Sequence, residues 1–157
     1  SSPRDGRLAS ISGVEVGEAP GGMLAVCAHD GFERSHGIIH HRKLYLKTGG
    51  ANLRGADHLE YTGAPGEIPN LAVIRFHLHP KVTAAMLANG SVLMKIRGSR
   101  VGWNFKAAGA IAEIDNSVYF EDGVRQSSQQ IVLKAVINDI RTTGSHEVRW
   151  AFSRGTQ

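Results

Sequence analysis

Short runs of alternating apolar and polar residues, separated by glycine, proline, asparagine or aspartate, occupy nearly the whole chain. Alternation with a period of two is typical of strands, and these four residue types form the turns between them. About ten or eleven such runs follow one another at a spacing of about 8–12 residues, as in sandwiches and barrels. No stretch sustains the period of an amphipathic helix. The sequence therefore predicts an all-β fold, an antiparallel β-sandwich of about ten strands.

The predicted strands are LASISGVEV, MLAVCAHD, GIIHHRKLYLK, LRGADHLEY, LAVIRFHLH, SVLMKIR, VGWNFKAAG, AIAEID, SVYFED, QIVLKAVI and HEVRWAF. A helical turn is predicted only for VTAAMLANG, residues 82–90, where Gly90 would end it. A chain of 157 residues is long enough for one domain with a core of its own. We assign residues 1–6 to a polar lead-in, residues 7–153 to a single domain and residues 154–157 to a tail.

Charge and cysteine content restrict the partners of the chain. The excess of 18 Lys and Arg over 14 Asp and Glu gives a net charge of +4, which favours polyanions, although a basic surface without a partner explains it equally well. No long Lys/Arg block is present, which argues against nucleic acid as a partner, and no apolar stretch predicts a membrane span.

Cys27 is the single cysteine of the chain, so it is expected to be a buried apolar side chain. The chain lacks an initiating Met and is expected to be an excised piece, from a periplasmic or a cytoplasmic protein.

Histidines are concentrated between His29 and Leu46, and the most informative of them lie in the predicted third strand. Because successive side chains of a strand point to opposite faces, His40 and Arg42 share one face and His41, Lys43 and Tyr45 share the other. The His40 face also carries Ile38, Leu44 and Leu46, so it is the more apolar one.

Asp57 lies on an apolar face of the next predicted strand, together with Leu53, Leu59 and Tyr61. A carboxylate in such a place needs a cation, a metal ion or backbone donors as its partner. In the predicted strand of residues 71–79, the same alternation assigns Ala72, Ile74, Phe76 and Leu78 to the core. It leaves a titratable row of Arg75, His77 and His79 on the opposite face.

Three kinds of chemistry fit these residues. A zinc site could combine His40 or His41 with Asp57 and with His77 or His79, although hydrogen-bonded sheet histidines without a metal are the more common case. Acid–base catalysis on an acidic sugar would use histidine together with an arginine that neutralises the substrate carboxylate; Tyr45 and Tyr61 could donate protons only with lowered pKa values. Passive sugar binding would use Trp103 and Trp150, which are more commonly core residues.

Several motifs resemble one enzyme family when they are taken in order. They are AHDGFERSHGIIHHRKLYL, LRGADHLE, IRFHLHP and the tail run SVYFED…SSQQIVLKAV…VRWAF, and they cover most of residues 22–153. Together they resemble the C-terminal β-sandwich region of the heparinase II/III-like polysaccharide lyases, in their α-proteobacterial form. The resemblance implies a longer parent in which an N-terminal α/α toroid and the sandwich close a cleft. There, uronate-containing glycans are cleaved by β-elimination.

The resemblance also implies roles for individual residues. His40 and Arg42 match catalytic positions, and the expected substrate-binding residues are Arg75, His77 and Tyr45. The expected zinc ligands are Asp57, His79 and His41.

Compared with the family pattern, the chain is expected to lack the toroid and the first strands of the usual sandwich. An incomplete sandwich is expected to expose an edge or an apolar face, which would pair with another copy or with the absent toroid. On its own the chain is not expected to turn over an acidic polysaccharide. A non-catalytic carbohydrate-binding or scaffold module is the alternative interpretation.

Overall fold

Two antiparallel sheets of unequal size form the structure, a computed structural model that describes residues 10–155. The large sheet has eight strands in the order β1-β2-β3-β4-β11-β8-β7-β6, and the small sheet has three in the order β5-β10-β9. The prediction of an all-β antiparallel sandwich is therefore confirmed. The lead-in of residues 1–6, the start of the first predicted strand and the last two residues of the tail lie outside the described residues.

The strand bounds are β1 Ile11–Ala19, β2 Gly22–Phe32, β3 Ile38–Lys47, β4 Asn52–Tyr61, β5 Leu71–His77, β6 Val82–Met86, β7 Val92–Ile96, β8 Gly102–Ala108, β9 Ile111–Glu121, β10 Val124–Val136 and β11 Ser145–Arg154. Two one-turn helices, α1 Glu33–His36 and α2 Ile140–Thr143, complete the described elements. Both helices end at a glycine in the left-handed conformation, which only glycine adopts without strain. Four residues are too few to leave a helical period in the sequence, and neither helix was predicted.

Turn residues explain why the hairpins close where they do. Pro20 and Gly21 connect β1 to β2, because proline presets the backbone of the first turn residue and Gly21 supplies the positive φ of the second. Asp122 and Gly123 both have positive φ and join β9 to β10 in a two-residue loop. Because β9 pairs with β10 along its whole length, AIAEID and SVYFED belong to one continuous strand, where the sequence predicted two.

The core lies between the two sheets and is centred on aromatic rings. Phe76 of β5 contacts the rings of Phe105, Trp150 and Phe152, which lie on the inner face of the large sheet, the face toward the small sheet. Ala72, Ile74 and Leu78 also belong to the core, so the predicted alternation along residues 71–79 is confirmed. Trp150 is a core residue, and Trp103 is partly buried against the same core.

The prediction of a helical turn over residues 82–90 is wrong. Residues Val82–Met86 form β6, which pairs antiparallel with β7 and buries Ala84 in the core. The weak helix propensity of the alanines is overridden by this pairing, because intrinsic propensity decides little where a strand partner is available. No helix within residues 10–155 is long and apolar enough to cross a membrane.

The small sheet leaves the β1–β3 end of the inner face uncovered. Large apolar side chains are exposed there, and they are Ile11, Val16, Met23, Phe32 and Leu46. Cys27 also lies on this face, half-buried rather than buried as expected, because nothing in the described chain packs over β2. This is the exposed apolar face that an incomplete sandwich is expected to have.

Replacing Gly55 by alanine is expected to destabilise the fold by about 1–3 kcal/mol, because a Cβ at this position would lie 2.1 Å from Cζ2 of Trp150. Gly17→Ala is the matched control, since Gly17 lies in β1 with open space around its Cβ position. Urea unfolding of both variants measures the difference. Equal stability of Gly55→Ala and the wild type would contradict the close packing of Trp150 on β4.

Candidate functional site

The register of three adjacent strands gathers the polar residues of the inner face. Arg42 of β3 lies directly opposite Asp57 of β4, and His40 lies two residues before Arg42 on the same side of β3. His29 of β2 lies directly opposite His40. Trp150 of β11 lies two residues from the partner of Asp57. We call His29, His40, Arg42, Asp57 and Trp150 the Asp57 cluster.

Asp57 is fully buried and accepts three hydrogen bonds. Its Oδ1 accepts from Nε of Arg42 and from Nε2 of His40, both at 2.6 Å. Its Oδ2 accepts from the indole Nε1 of Trp150 at 2.7 Å. The prediction that this carboxylate needs a partner is confirmed, and the partners are a guanidinium, an imidazole and an indole.

These donors keep Asp57 ionised. Burial by itself would raise the pKa of the carboxyl, but the hydrogen bonds from His40, Arg42 and Trp150 and the charge of Arg42 outweigh it. The pKa of Asp57 falls from 3.8 to about 2 as a result. At neutral pH the cluster therefore contains a fixed carboxylate whose negative charge is balanced by Arg42.

The two histidines continue the chain of hydrogen bonds away from Asp57. Nδ1 of His40 lies 2.8 Å from Nε2 of His29, and Nδ1 of His29 accepts from the backbone N–H of Gly31 at 3.3 Å. Because His29 accepts at Nδ1, its proton is on Nε2 and is donated to His40. His40 in turn carries its proton on Nε2 and donates it to Asp57. The contacts thus assign one tautomer to each ring.

The environment of His29 favours its neutral form. Burial lowers the pKa of His29 below 6.5, and the charges of His40 and Arg42 lower it further, while Asp30 opposes them. Its bond to Gly31 is the longest in the chain of contacts, so Nδ1 of His29 is the ring nitrogen that is most easily released to another partner.

Arg42 is the member of the cluster that can reach a ligand. Its side chain is 32% exposed, and within residues 10–155 its only hydrogen bond uses Nε, which leaves both Nη nitrogens without a partner. A guanidinium fixed at Nε and open at Nη is suited to a carboxylate, which it can bind through two parallel hydrogen bonds. The cluster therefore presents an oriented cation beside the imidazole of His29, whose neutral form is favoured.

The other predicted residues lie elsewhere. His41 and Tyr45 are on the outer face of the large sheet, where His41 contacts Glu60 at 3.0 Å and Tyr45 donates to the carbonyl of Pro20. Arg75 and His77 are exposed on the outer face of the small sheet, and His77 is bonded to Ser117. These substrate-binding candidates do not converge on the Asp57 cluster.

The three expected zinc ligands do not meet. Asp57 lies on the inner face of the large sheet, His41 on its outer face, and His79 beside the ring of Tyr119 on the small sheet. Both ring nitrogens of His40 are taken up by His29 and Asp57. Within residues 10–155, no group of three His, Cys, Asp or Glu side chains is arranged to hold a metal ion. The described residues do not fit the expected ligand set, and zinc binding stays a prediction of the resemblance.

Sequence reasoning missed His29 and the hydrogen bond from Trp150. The sequence carries no reliable signal for His29. The β2–β3 connection is residues 33–37, so symmetric pairing about its middle would place Asp30 opposite His40. A register shift between His29 and Phe32 brings His29 opposite His40 instead. Trp150 has no local signal either, since it lies 93 residues from Asp57 in the sequence.

The stability of the chain in acid should depend on Asp57. Because the pKa of Asp57 is lower in the folded chain, its stabilising effect is present above about pH 4 and is lost as the pH falls toward 2. The difference in unfolding free energy between the wild type and Asp57→Asn should shrink by about 2 kcal/mol over this range. Urea unfolding at a series of pH values measures it. A difference that is constant over this range would show that Asp57 is not held ionised by the cluster.

The titration of His29 should respond to Arg42. Arg42→Gln removes one positive charge near the ring, so the pKa of His29 should rise toward 6.5 while remaining lowered by burial. The ring proton shift of His29, followed by NMR against pH, reports this change. Lys43→Gln removes the same charge from the opposite face of β3 and is the control. An equal rise in both variants would contradict the direct effect of Arg42.

Comparison with known proteins is consistent with this architecture. Residues 3–151 match the family described as "Heparinase II/III-like, C-terminal". The FtsZ-localized protein C of Caulobacter vibrioides is 33% identical over 141 residues, which cover 85% of this chain and 24% of that protein. Two solved heparinase III structures superimpose with TM-scores of 0.69 and 0.65 at 8% and 11% identity, which shows a common fold alone.

The heparinase III matches cover 95% and 92% of this chain but only 22% and 21% of those chains. The chain thus spans about a quarter of the length of the proteins it matches. The family match extends over nearly the whole sequence, in agreement with the resemblance found in its motifs. The chain therefore belongs to the heparinase II/III-like C-terminal domain family, a family related to the polysaccharide lyases.

Proposed function

We propose that this chain is the sandwich portion of a longer protein and that its Asp57 cluster binds the carboxylate of an acidic, uronate-containing glycan. The observation that supports the proposal is Arg42, whose Nε is fixed by the buried Asp57 while its Nη groups remain open. A guanidinium that is already held in one orientation loses less conformational entropy when it binds a planar carboxylate than a mobile guanidinium does.

The same arrangement suits β-elimination next to a uronate. Neutralising the substrate carboxylate favours removal of the adjacent carbon-bound proton and stabilises the enolate that forms. Arg42 would contribute through the hydrogen bonds that its Nη groups donate, because its charge is already balanced by Asp57. His29, neutral at ordinary pH and bonded to Gly31 only weakly, would accept a proton at the bare Nδ1. The remaining groups of the reaction would come from the rest of the parent protein, and the chain alone is not expected to catalyse the elimination.

The uncovered inner face supports this division of the protein. Its exposed apolar side chains border the Asp57 cluster, since β1 and β2 lie next to β3 in the large sheet. We propose that the α/α toroid of the parent packs here, so that the glycan lies between the toroid and Arg42. A second copy of the chain is the alternative partner for the same apolar side chains.

A non-catalytic module is the second candidate function. Every ring nitrogen of His29 and His40 is engaged in a hydrogen bond, so neither ring of the Asp57 cluster offers a free base. The similarity to the FtsZ-localized protein C also suits a binding or scaffold role in a larger protein, here at sites of FtsZ assembly. Uronate binding without any unsaturated product, measured on the parent protein, would favour this candidate.

NMR titration of the labelled chain with a uronate oligosaccharide tests the first proposal. Addition of the oligosaccharide should shift the Nε resonance of Arg42 and the ring resonances of His29, whereas a neutral oligosaccharide of equal length should not. Arg42→Gln should weaken binding by about tenfold, as expected for the loss of one charge-assisted contact of roughly 1.5–3 kcal/mol. Lys95→Gln removes an exposed charge from β7 and is the control. Equal weakening in both variants, or equal shifts with the neutral sugar, would contradict the proposal.

A further inference from the structure

A second site is indicated on the opposite side of the large sheet. Four adjacent strands, β3, β4, β11 and β8, each contribute one cation to a groove on the outer face, and these are Lys43, Arg54, Arg149 and Lys106. They line a groove of about 440 Å³, which we call the outer groove. Each of these four cations is next in sequence to a residue of the inner face. Because successive side chains of a strand point to opposite faces, all four cations point away from the Asp57 cluster.

The register spaces the four charges evenly. Lys43 and Arg149 lie in one row across the sheet with Ala56 between them. Arg54 and Lys106 lie in the next row with Ala151 between them. Since strands are about 4.8 Å apart and alternate residues about 7 Å apart, the charges mark the corners of a patch of roughly 10 by 7 Å. An alanine between two cations leaves room for a ligand between their side chains.

The charges of the groove are only partly used within the protein. Nε of Arg149 donates to Glu147, and Nε of Arg54 donates to the side chain of Asn52. Within residues 10–155, Lys43 and Lys106 make neither an ion pair nor a side-chain hydrogen bond. Four cations and one pairing carboxylate leave a net positive groove, which attracts an anion.

The floor of the groove is apolar. The methyl groups of Ala56, Ala108 and Ala151 share the outer face with the four cations, and Gly55 and Ala107 contribute only backbone. Leu24 and Tyr45 line one end. Leu24 is 38% exposed although it is a large apolar residue. The ligand must therefore combine negative charge with apolar side chains.

We propose that the outer groove binds an acidic peptide segment of a partner protein, with carboxylates at the four cations and apolar side chains on the alanine floor and Leu24. Lysine and arginine only donate hydrogen bonds, and carboxylates need donors alone, whereas the hydroxyl groups of a glycan also need acceptors. Peptide recognition of this kind resembles the capture of acidic motifs by clusters of basic residues.

The two sites are independent in position. The outer groove and the Asp57 cluster share strands β3, β4 and β11 but lie on opposite faces of the large sheet. Consequently a partner bound in the outer groove leaves Arg42 accessible. The proposal for the groove holds whether or not the inner face binds a glycan.

Fluorescence anisotropy with a labelled synthetic peptide of alternating glutamate and leucine tests the proposal on the whole chain. The peptide should bind the wild type, and the double variant Lys43→Glu with Lys106→Glu should bind it at least about tenfold more weakly. Ala56→Leu changes no charge but fills the space between Lys43 and Arg149, so it should also weaken binding. Thermal unfolding of both variants checks that each remains folded.

The matched control is the double variant Arg97→Glu with Arg125→Glu, which makes the same change in net charge at exposed arginines outside the groove. It should retain peptide binding. Equal weakening in this control would show attraction by net charge alone and would overturn the proposal. Stronger binding of a uronate oligosaccharide or of anionic phospholipid vesicles, lost in the Lys43→Glu and Lys106→Glu variant, would overturn it in favour of a glycan or a membrane.

Discussion

The buried carboxylate of Asp57 determines much of the structure around it. An ionised group without access to water is tolerated only when its hydrogen bonds are satisfied, and Asp57 obtains its three donors from β3 and β11 on either side of β4. The same contacts fix the positions of His40, Arg42 and Trp150. Losing one of these partners would leave a buried charge incompletely compensated, at a cost of about 3–5 kcal/mol. The centre of the large sheet is therefore organised by a polar group.

Trp150 connects this polar cluster to the apolar core. Its indole nitrogen donates to Asp57, while its ring packs on Gly55 and makes an edge contact with Phe76 of the small sheet. The packing of the small sheet on the large one thus positions the indole, and the indole helps to keep Asp57 ionised. The ionised Asp57 in turn fixes Nε of Arg42, which lies on β3 beside the uncovered end of the inner face. The core and the candidate glycan site are in this way one continuous set of contacts.

Strand alternation separates two candidate binding surfaces in one sheet. Arg42 faces the inner side and its neighbour Lys43 the outer side, and the same holds for Trp150 and Arg149. Local sequence patterns predicted only part of the site. Alternation and turn residues predicted the strands, the core face of β5 and the need of Asp57 for a partner. These features depend on residues that are close in the sequence.

The sequence did not predict which strands are neighbours in the sheet. The resemblance implied that His79 and His41 join Asp57. The strand that leads to His79, β5, belongs to the small sheet, and His41 lies on β3 beside β4 but faces the outer side. The outer groove was not recognised for a related reason. Its four cations come from four strands, and two of these strands lie in the second half of the chain. Long-range pairing of this kind has no local signature.

The most direct test of this account is the tautomeric state of His29 and His40, read from the ring nitrogen shifts of the labelled chain by NMR at neutral pH. Both rings are expected to carry their proton on Nε2 with bare Nδ1 atoms, so that His40 donates to Asp57 and His29 donates to His40. A proton on Nδ1 of His40, or a rapidly exchanging mixture of tautomers, would contradict the chain of hydrogen bonds that orients the site.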